Sequence, residues 1–398
     1  DHLPLHFETD VHAPNFQQLA AEGASFELAY VQGNESRTSH ASLFSGMFPS
    51  RHRVLGRGHL KPDHYLLPEA LADHGFKTYA YISNGYVSKP WGFVQGWDMY
   101  RNNLREGYAI DGESMAEHAL ALAEKKKEDP FLLYVGTIDP HVTYREHEEL
   151  IKRYDPEPYS GRFRRSCLGS DLGKIKGGSI KVDERDKQRI AALYKNEIEF
   201  NDRAFGNLRK GLEELGIWDE TMVIVTSDHG DEFWEHDSVG HGHSVHQELV
   251  HVPLLVRYPP LVPAGTVVKA GVDILDVYPT IMDAVGAKRP EQLQGKSLLP
   301  LIQGTQLDYP EPAIATRYLS RYGIQMRQWK MIAKKEAYAF YDRAADPLEQ
   351  ADVAGKHPLA ERWLQDAFSV FRANRDVWDK AAFGAASNLS PTFLELVK

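Results

Sequence analysis

An apolar, β-branched run ending at Val225 passes straight into Thr226-Ser227-Asp228-His229-Gly230-Asp231-Glu232, and Gly240-His241-Gly242-His243 follows at loop distance. A carboxylate and an imidazole at a strand end are what a sheet offers a metal ion at the carboxyl edge of its strands. The second histidine cluster can then reach a group bound there. Another dense stretch runs from Ser36 to His52, beginning Ser36-Arg37-Thr38-Ser39-His40. Small hydroxyl residues that open a helical run lie where backbone N–H groups stabilise an anion. A hydroxyl placed there could attack phosphorus or sulfur if a metal lowered its pKa. Ser83-Asn84 closes the apolar run from Thr78 to Ile82, and Asp139-Pro140-His141 closes the run from Phe131 to Thr137. Polar loops from separate strands, converging at one sheet edge, have the geometry of an active site in an α/β fold.

The elements that must position these loops alternate between helix and strand, which favours an α/β sandwich on a mostly parallel central sheet flanked by helices. From Pro14 to Glu22 the chain reads as a helix with Pro near its start and Gly23 past its end. Residues 65–74 repeat that design before Gly75, residues 113–126 form an amphipathic helix, and residues 184–215 form the longest helical stretch. The segment 144–182 scatters Pro, Gly, Arg and Lys with little periodicity and reads as a long loop over the site. Beyond Leu301 short antiparallel strands are expected at 313–316, 322–327, 329–334 and 337–342, followed by a helix over 358–374. The expected division is a catalytic α/β domain over 1–310 and a small C-terminal α+β subdomain over 311–398.

A chain of 398 residues is long enough for a large domain with a smaller one attached. Its net charge of −10, with no long basic stretch, argues against a general nucleic-acid binder. Lys125-Lys126-Lys127 reads as the solvated end of a helix. Cys167 is the one cysteine, so no intrachain disulfide forms. No apolar run reaches the roughly 18 residues that span a bilayer.

On these residues the chain resembles the sulfatase family of the alkaline phosphatase superfamily. That family's nucleophile motif is Cys or Ser, any residue, Pro, any residue, Arg, then a helix ending in Leu-x-Thr-Gly. Set without gaps on the stretch from Ala41 to Gly46, its nucleophile falls on Ser36. Ala13-Pro14-Asn15 with the stretch from Leu19 to Gly23 resembles the family's first helix. Asp139-Pro140-His141-Val142-Thr143-Tyr144 resembles its Asp-Pro-His-x-Pro-Tyr turn. Residues 194–202 and 227–232 resemble its long helix and metal strand, and residues 273–279 with 293–300 the segment that closes the main domain. Trp329-Lys330-Met331-Ile332, Tyr341-Asp342 and Asp346-Pro347-Leu348-Glu349-Gln350 resemble its C-terminal subdomain. The likeness runs essentially end to end. It implies an alkaline-phosphatase-like sandwich and metal-dependent hydrolysis of a small anionic ester, such as a sulfated sugar or aryl sulfate.

The resemblance also implies roles. Asp228 and His229 ligate one divalent cation, calcium by the sulfatase likeness. Ser36 attacks the ester, His141 and His241 contact the sulfuryl or phosphoryl oxygens, and one of them protonates the leaving alcohol. His40 stands where the family's Arg supports the nucleophile. Asn84 and Lys89 are candidate oxyanion contacts, while His243 and His246 read as structural. Arg162, Arg164 and Arg165 either meet an anionic substrate or form solvated surface.

Two departures shape the expectations. Thr38 and His40 replace the Pro and Arg read by the machinery that converts the nucleophile to formylglycine, which makes Ser36 a poor substrate for that conversion. An unmodified serine alkoxide suits phosphoryl transfer, so a phosphodiesterase or phosphonate monoester hydrolase using manganese or zinc is the alternative. A non-catalytic anion- or partner-binding protein is a third reading. The second departure is at the start: Asp1-His2-Leu3 resembles the turn after the family's first strand, so that strand and its metal-binding aspartates are expected upstream. Asp10 and His12 lie too far along to replace them. With fewer ligands, the chain is expected to bind metal weakly and turn over little.

Overall fold

Pro14 opens the first helix where its missing N–H removes no bond, and the N–H groups behind it are taken by a distant carboxylate. Asp202 accepts from Asn15 N at 3.2 Å and from Phe16 N at 2.8 Å. These contacts belong to a computed structural model that describes residues 2–6, 9–56, 58–308, 312–317, 320–334 and 337–377. The principal helices are α1 (Pro14–Glu22), α2 (Ser36–Ser45), α3 (Gly112–Lys126), α4 (Glu184–Glu214) and α5 (Pro358–Val377). The longest, α4, starts on a reciprocal pair in which Asp183 and Asp186 each accept from the other's backbone N–H.

Between the helices lie strands β1 (Ala24–Tyr30), β2 (Lys77–Ile82), β3 (Met99–Asn102), β4 (Phe131–Gly136), β5 (Val223–Thr226), β6 (Leu254–Arg257) and β7 (Thr266–Asp273). β2 runs parallel to β3 on one side and to β4 on the other. β1 pairs parallel with β7 and antiparallel with β6, and β6 pairs antiparallel with β5. The result is the expected α/β sandwich with a small C-terminal sheet. Direction in β6 was not readable because all four of its residues are buried, so it shows no alternation.

β4 and β5 are the outer strands of these two sheets, and every residue in them is only half buried. A cavity of about 240 Å³ separates them, lined by Tyr134 and Val135 of β4, Val225 and Thr226 of β5, and Leu3 and Leu5. Among the described residues no strand pairs with either facing edge.

Residues 144–182 are structured, contrary to the long loop expected. Tyr144–Arg145 pairs with Ser166–Cys167, and short helices span Ile151–Tyr154 and Gly169–Lys176. Tyr144, Phe163, Cys167 and Leu172 pack against Ile190 and Leu193 of α4. Their spacing follows no single period, which is why the pattern was not legible. Arg162 is bound to Asp171 at 2.6 Å, whereas Arg164 and Arg165 are exposed.

The C-terminal strands Ala313–Arg317, Arg321–Met326, Trp329–Lys334 and Ala337–Asp342 form an antiparallel meander. Ile324, Met331 and Phe340 pack with Leu364 of α5 into a separate core. The boundary placed at residue 310 lies outside the described residues, as do Asp1 and residues 378–398.

A charge network fastens this meander to the loop after β5. Glu349 pairs with Lys330 Nζ at 2.9 Å and accepts from Gln247 N at 3.2 Å, with His246 Nδ1 at 3.1 Å. His236 stacks on His246 with centroids 3.7 Å apart, and bonds Glu248 at 2.9 Å and the Glu349 carbonyl at 3.0 Å. Burial disfavours the charged His236 ring, but Glu248, the Glu349 carbonyl and Glu232 outweigh it and push its pKa up to about 9. A histidine raised in the folded state stabilises fully below its unfolded value, near 6.5, and loses that contribution as pH climbs through its folded value. Solvent screening at this half-buried ring discounts the shift, so stability is expected to fall by about 1–2 kcal/mol between pH 6.5 and 9. Denaturant titrations across that range should show the slope, and His236→Gln should flatten it. An unaltered slope in the variant refutes the assignment.

Candidate active site

The first residue of α2 is Ser36, delivered by the loop that leaves β1. That loop is fixed on both sides: Asn34 Nδ2 donates to the Ser244 carbonyl at 2.6 Å, and Ser39 Oγ donates to the Gly33 carbonyl at 3.2 Å. The helix stops at Gly46, whose φ of 64° suits a residue without a side chain. All ten residues of α2 are buried although most are polar. Burial of this kind is tolerated when each polar group has a partner. Thr38 donates to the Val54 carbonyl at 3.0 Å, Ser42 bonds His52 at 3.0 Å, and Ser45 donates to the Ala41 carbonyl at 2.5 Å.

Ser36 Oγ lies 3.4 Å from His229 Nε2, just past the end of β5. Asp228 Oδ2 is 3.8 Å from the same nitrogen and 3.5 Å from His40 Nδ1. Burial opposes ionisation of Asp228, but the imidazoles of His229 and His40 and the Ser36 hydroxyl hold its carboxyl well below the usual range. His40 is enclosed, and burial lowers its pKa against the pull of Asp228, which keeps the ring neutral. Its Nδ1 lies 2.8 Å from the Ser36 carbonyl, an acceptor only, so Nδ1 carries the hydrogen. Nε2 then accepts from the Tyr134 hydroxyl at 2.9 Å. With both nitrogens engaged, His40 holds the start of α2 in place and has no lone pair left to act as a base. Tyr134 was missed from sequence because it sits inside the apolar run of β4, where an aromatic reads as core.

His141 follows β4, and its ring approaches those of His229 and His241 with centroids 6.2 and 5.1 Å away. Each of the three imidazoles offers a nitrogen, and these lie within 4.8 Å of one another. His241 is oriented by Asp231, with Nδ1 2.7 Å from Oδ1, and the other Asp231 oxygen accepts from Tyr144 at 2.8 Å. Burial resists charge on Asp231, yet the adjoining His241 brings its carboxyl down to about 2. Asp231 was quoted in the sequence but given no role, although an Asp three residues after Asp228 was a readable signal. His243 and His246 face Glu232 at 2.5 Å and Glu349 at 3.1 Å.

Two other candidates sit further out. Asn84 lines the cavity, but its side-chain oxygen closes a turn by accepting from Tyr86 N at 2.8 Å, which leaves only its amide hydrogens for a ligand. Lys89 is exposed at the start of the short turn Lys89–Trp91. Asp10 is bound to Lys195 at 2.7 Å, away from the cluster. Asp228 and His229 offer a divalent cation one carboxylate and one imidazole 3.8 Å apart, and the nearby His141 and His241 place their nitrogens within 4.8 Å of that of His229.

Residues 6–287 match the family model described as Sulfatase, and residues 241–366 match the N-sulphoglucosamine sulphohydrolase C-terminal family. Arylsulfatase K of Bos taurus is 24% identical over 419 residues, spanning 87% of this chain and 75% of its own length. In fold the chain is similar to BT4656, solved in complex with its substrate D-glucosamine-2-N,6-O-disulfate, with a TM-score of 0.77 and 20% identity over 92% of this chain and 94% of that one. It is similar to the phosphonate monoester hydrolase of Agrobacterium radiobacter at a TM-score of 0.77 and 18% identity, over 94% and 93% of the two chains. At such identities the solved structures speak for the fold, and the family match over most of the chain carries the assignment. This chain belongs to the sulfatase family of the alkaline phosphatase superfamily, a family of sulfuric ester hydrolases.

Proposed function

We propose that this chain hydrolyses a sulfate ester carried by a sugar, with Ser36 as the nucleophile. The observation that carries the reading is Ser36 Oγ, at the N-terminus of α2 and 3.4 Å from His229, facing imidazoles whose nitrogens lie within 4.8 Å of one another. The sulfated glucosamine in the BT4656 complex supports a sugar ester as substrate. Asp228 and His229 would hold a divalent cation, which would supply charge to polarise the ester and lower the pKa of a nearby hydroxyl. Ser36 Oγ, its proton lost to solvent, bonds to sulfur as the bond to the ester oxygen breaks; water then attacks that sulfur, releasing sulfate and restoring the Ser36 hydroxyl, while the α2 N–H groups stabilise the charge that develops. His141 and His241 grip the sulfuryl oxygens, with His241 held in one orientation by Asp231, and one of the two gives the leaving alcohol its proton.

A second reading has unmodified Ser36 acting on a phosphonate monoester. It is favoured by His40, whose neutral ring stands in place of the family's Arg beside Ser36. Purified chain should be assayed with 6-sulfated N-acetylglucosamine and with a phenyl phosphonate ester, before and after chelation. The expected result is sulfate release that drops at least about 100-fold on chelation and returns with metal. Cleavage of the phosphonate alone replaces this reading with the second. With one carboxylate among the donors, calcium should bind with a Kd of about 0.1–1 mM by calorimetry. Binding a thousand times tighter would show that further carboxylates take part.

A further inference from the structure

Arg37 is the exception in α2. Each other polar side chain of that helix has a partner, whereas Arg37 makes no ion pair or hydrogen bond among the described residues. The residue is only 7% exposed, and its NH1 is sealed from solvent without an acceptor. Its place compounds the problem, since the first turn of a helix is its positive end and repels a cation. A buried guanidinium in such a position is costly unless an anion completes it. Its neighbours are aromatic: the guanidinium carbon lies 4.0 Å from the Trp91 ring centre and 5.6 Å from that of Tyr86, which is 63% exposed. Stacking on Trp91 offsets part of the cost without supplying a counter-charge. Lys89 stands exposed in the same turn as Trp91.

We propose that Arg37, with Trp91 and Tyr86, forms a subsite for a second anionic group of the substrate, a sulfate or carboxylate borne on the sugar beside the ester that is cleaved. The inference rests on the sulfated-sugar reading above. Arg37 follows Ser36 directly, which places the subsite on the same helical turn as the nucleophile. The planar fork suits the paired oxygens of either anion, and the exposed Tyr86 ring offers a face for the sugar. Such a subsite selects doubly charged esters over singly charged ones.

The test is calorimetric binding of the whole chain to glucosamine 6-sulfate and to two doubly charged analogues, one with a second sulfate and one with a uronic carboxylate. Wild type should bind at least one doubly charged sugar ten or more times tighter than the monosulfate, and which one identifies the anion. In Arg37→Met that preference should collapse to within about twofold, while Tm rises by roughly 1–3 °C because an uncompensated buried charge has gone. A residue that merely supports the fold would lower Tm instead. If wild type binds the monosulfate and gains nothing from a second charge, the subsite is wrong and the substrate reading survives. If it binds no sulfated sugar, both fall. Equal loss on all three sugars in Arg37→Met places Arg37 on the scissile group and overturns the proposal.

Discussion

Ser36→Ala should slow sulfate-ester turnover at least about 1000-fold while leaving KM nearly unchanged. The expected split follows from geometry. The hydroxyl reaches His229 Nε2 at 3.4 Å and also bonds the Asp228 carboxylate, both of them groups of the site itself, so its removal deletes the attacking atom and little of the substrate's grip. The helix that carries it is held by other bonds, from Thr38 to the Val54 carbonyl and from Ser39 to the Gly33 carbonyl, so stability should move by under about 1 kcal/mol. Steady-state kinetics alongside a melting curve separate the two effects. A variant that keeps its turnover refutes Ser36 as the nucleophile, and one that loses turnover only by melting says nothing for it.

The largest stability effect is expected far from Ser36. Glu349→Ala leaves Lys330, which is fully buried, with its charge and no partner, at a cost of about 3–5 kcal/mol. The same change frees His246 and the Gln247 N–H, and with them the loop that presents His241. Turnover should therefore fall even at temperatures where the variant is folded. Replacing the pair together, Lys330→Met with Glu349→Leu, removes both charges and should recover most of the stability by denaturant titration. Activity should stay low in that double variant, because an apolar pair holds the meander but cannot bond the loop. A single variant as stable as wild type contradicts this account.

Much of the fold was legible because periodicity and punctuation agreed. Pro14 and Gly23 marked the ends of α1, and the C-terminal strands at 329–334 and 337–342 were read with their observed bounds. Pairing was less legible. Nothing local in Leu254–Arg257 says that it turns back against both β1 and β5, because a strand buried on both faces carries no alternation. The converging residues Ser36, His141, Asp228, His229 and His241 were nameable from types at strand and helix ends. What escaped were groups whose importance lies in a long-range partner. Tyr134 reads as core until His40 is placed beside it, and Arg37 reads as an ordinary helix residue until its burial is known. Asn84 shows the opposite failure, since a polar residue after a strand reads as free while its oxygen closes a local turn.

The strand that leads to Ser36 has its partners very late in the chain. β1 pairs with β7, the Gln32 side chain just beyond it bonds Asp273, 241 residues onward, and the Tyr30 hydroxyl is held by Arg343, 313 residues onward. A ribosome adding ~5–20 residues per second leaves that apolar strand unpaired for ~10–50 s after it is made. Closing so long a loop is entropically slow as well. The nascent chain must thus carry β1 exposed until β6 and β7 emerge, a period in which a holding chaperone decides between folding and aggregation. Ser36 is translated well before β6 and β7, so its surroundings assemble long after it leaves the ribosome.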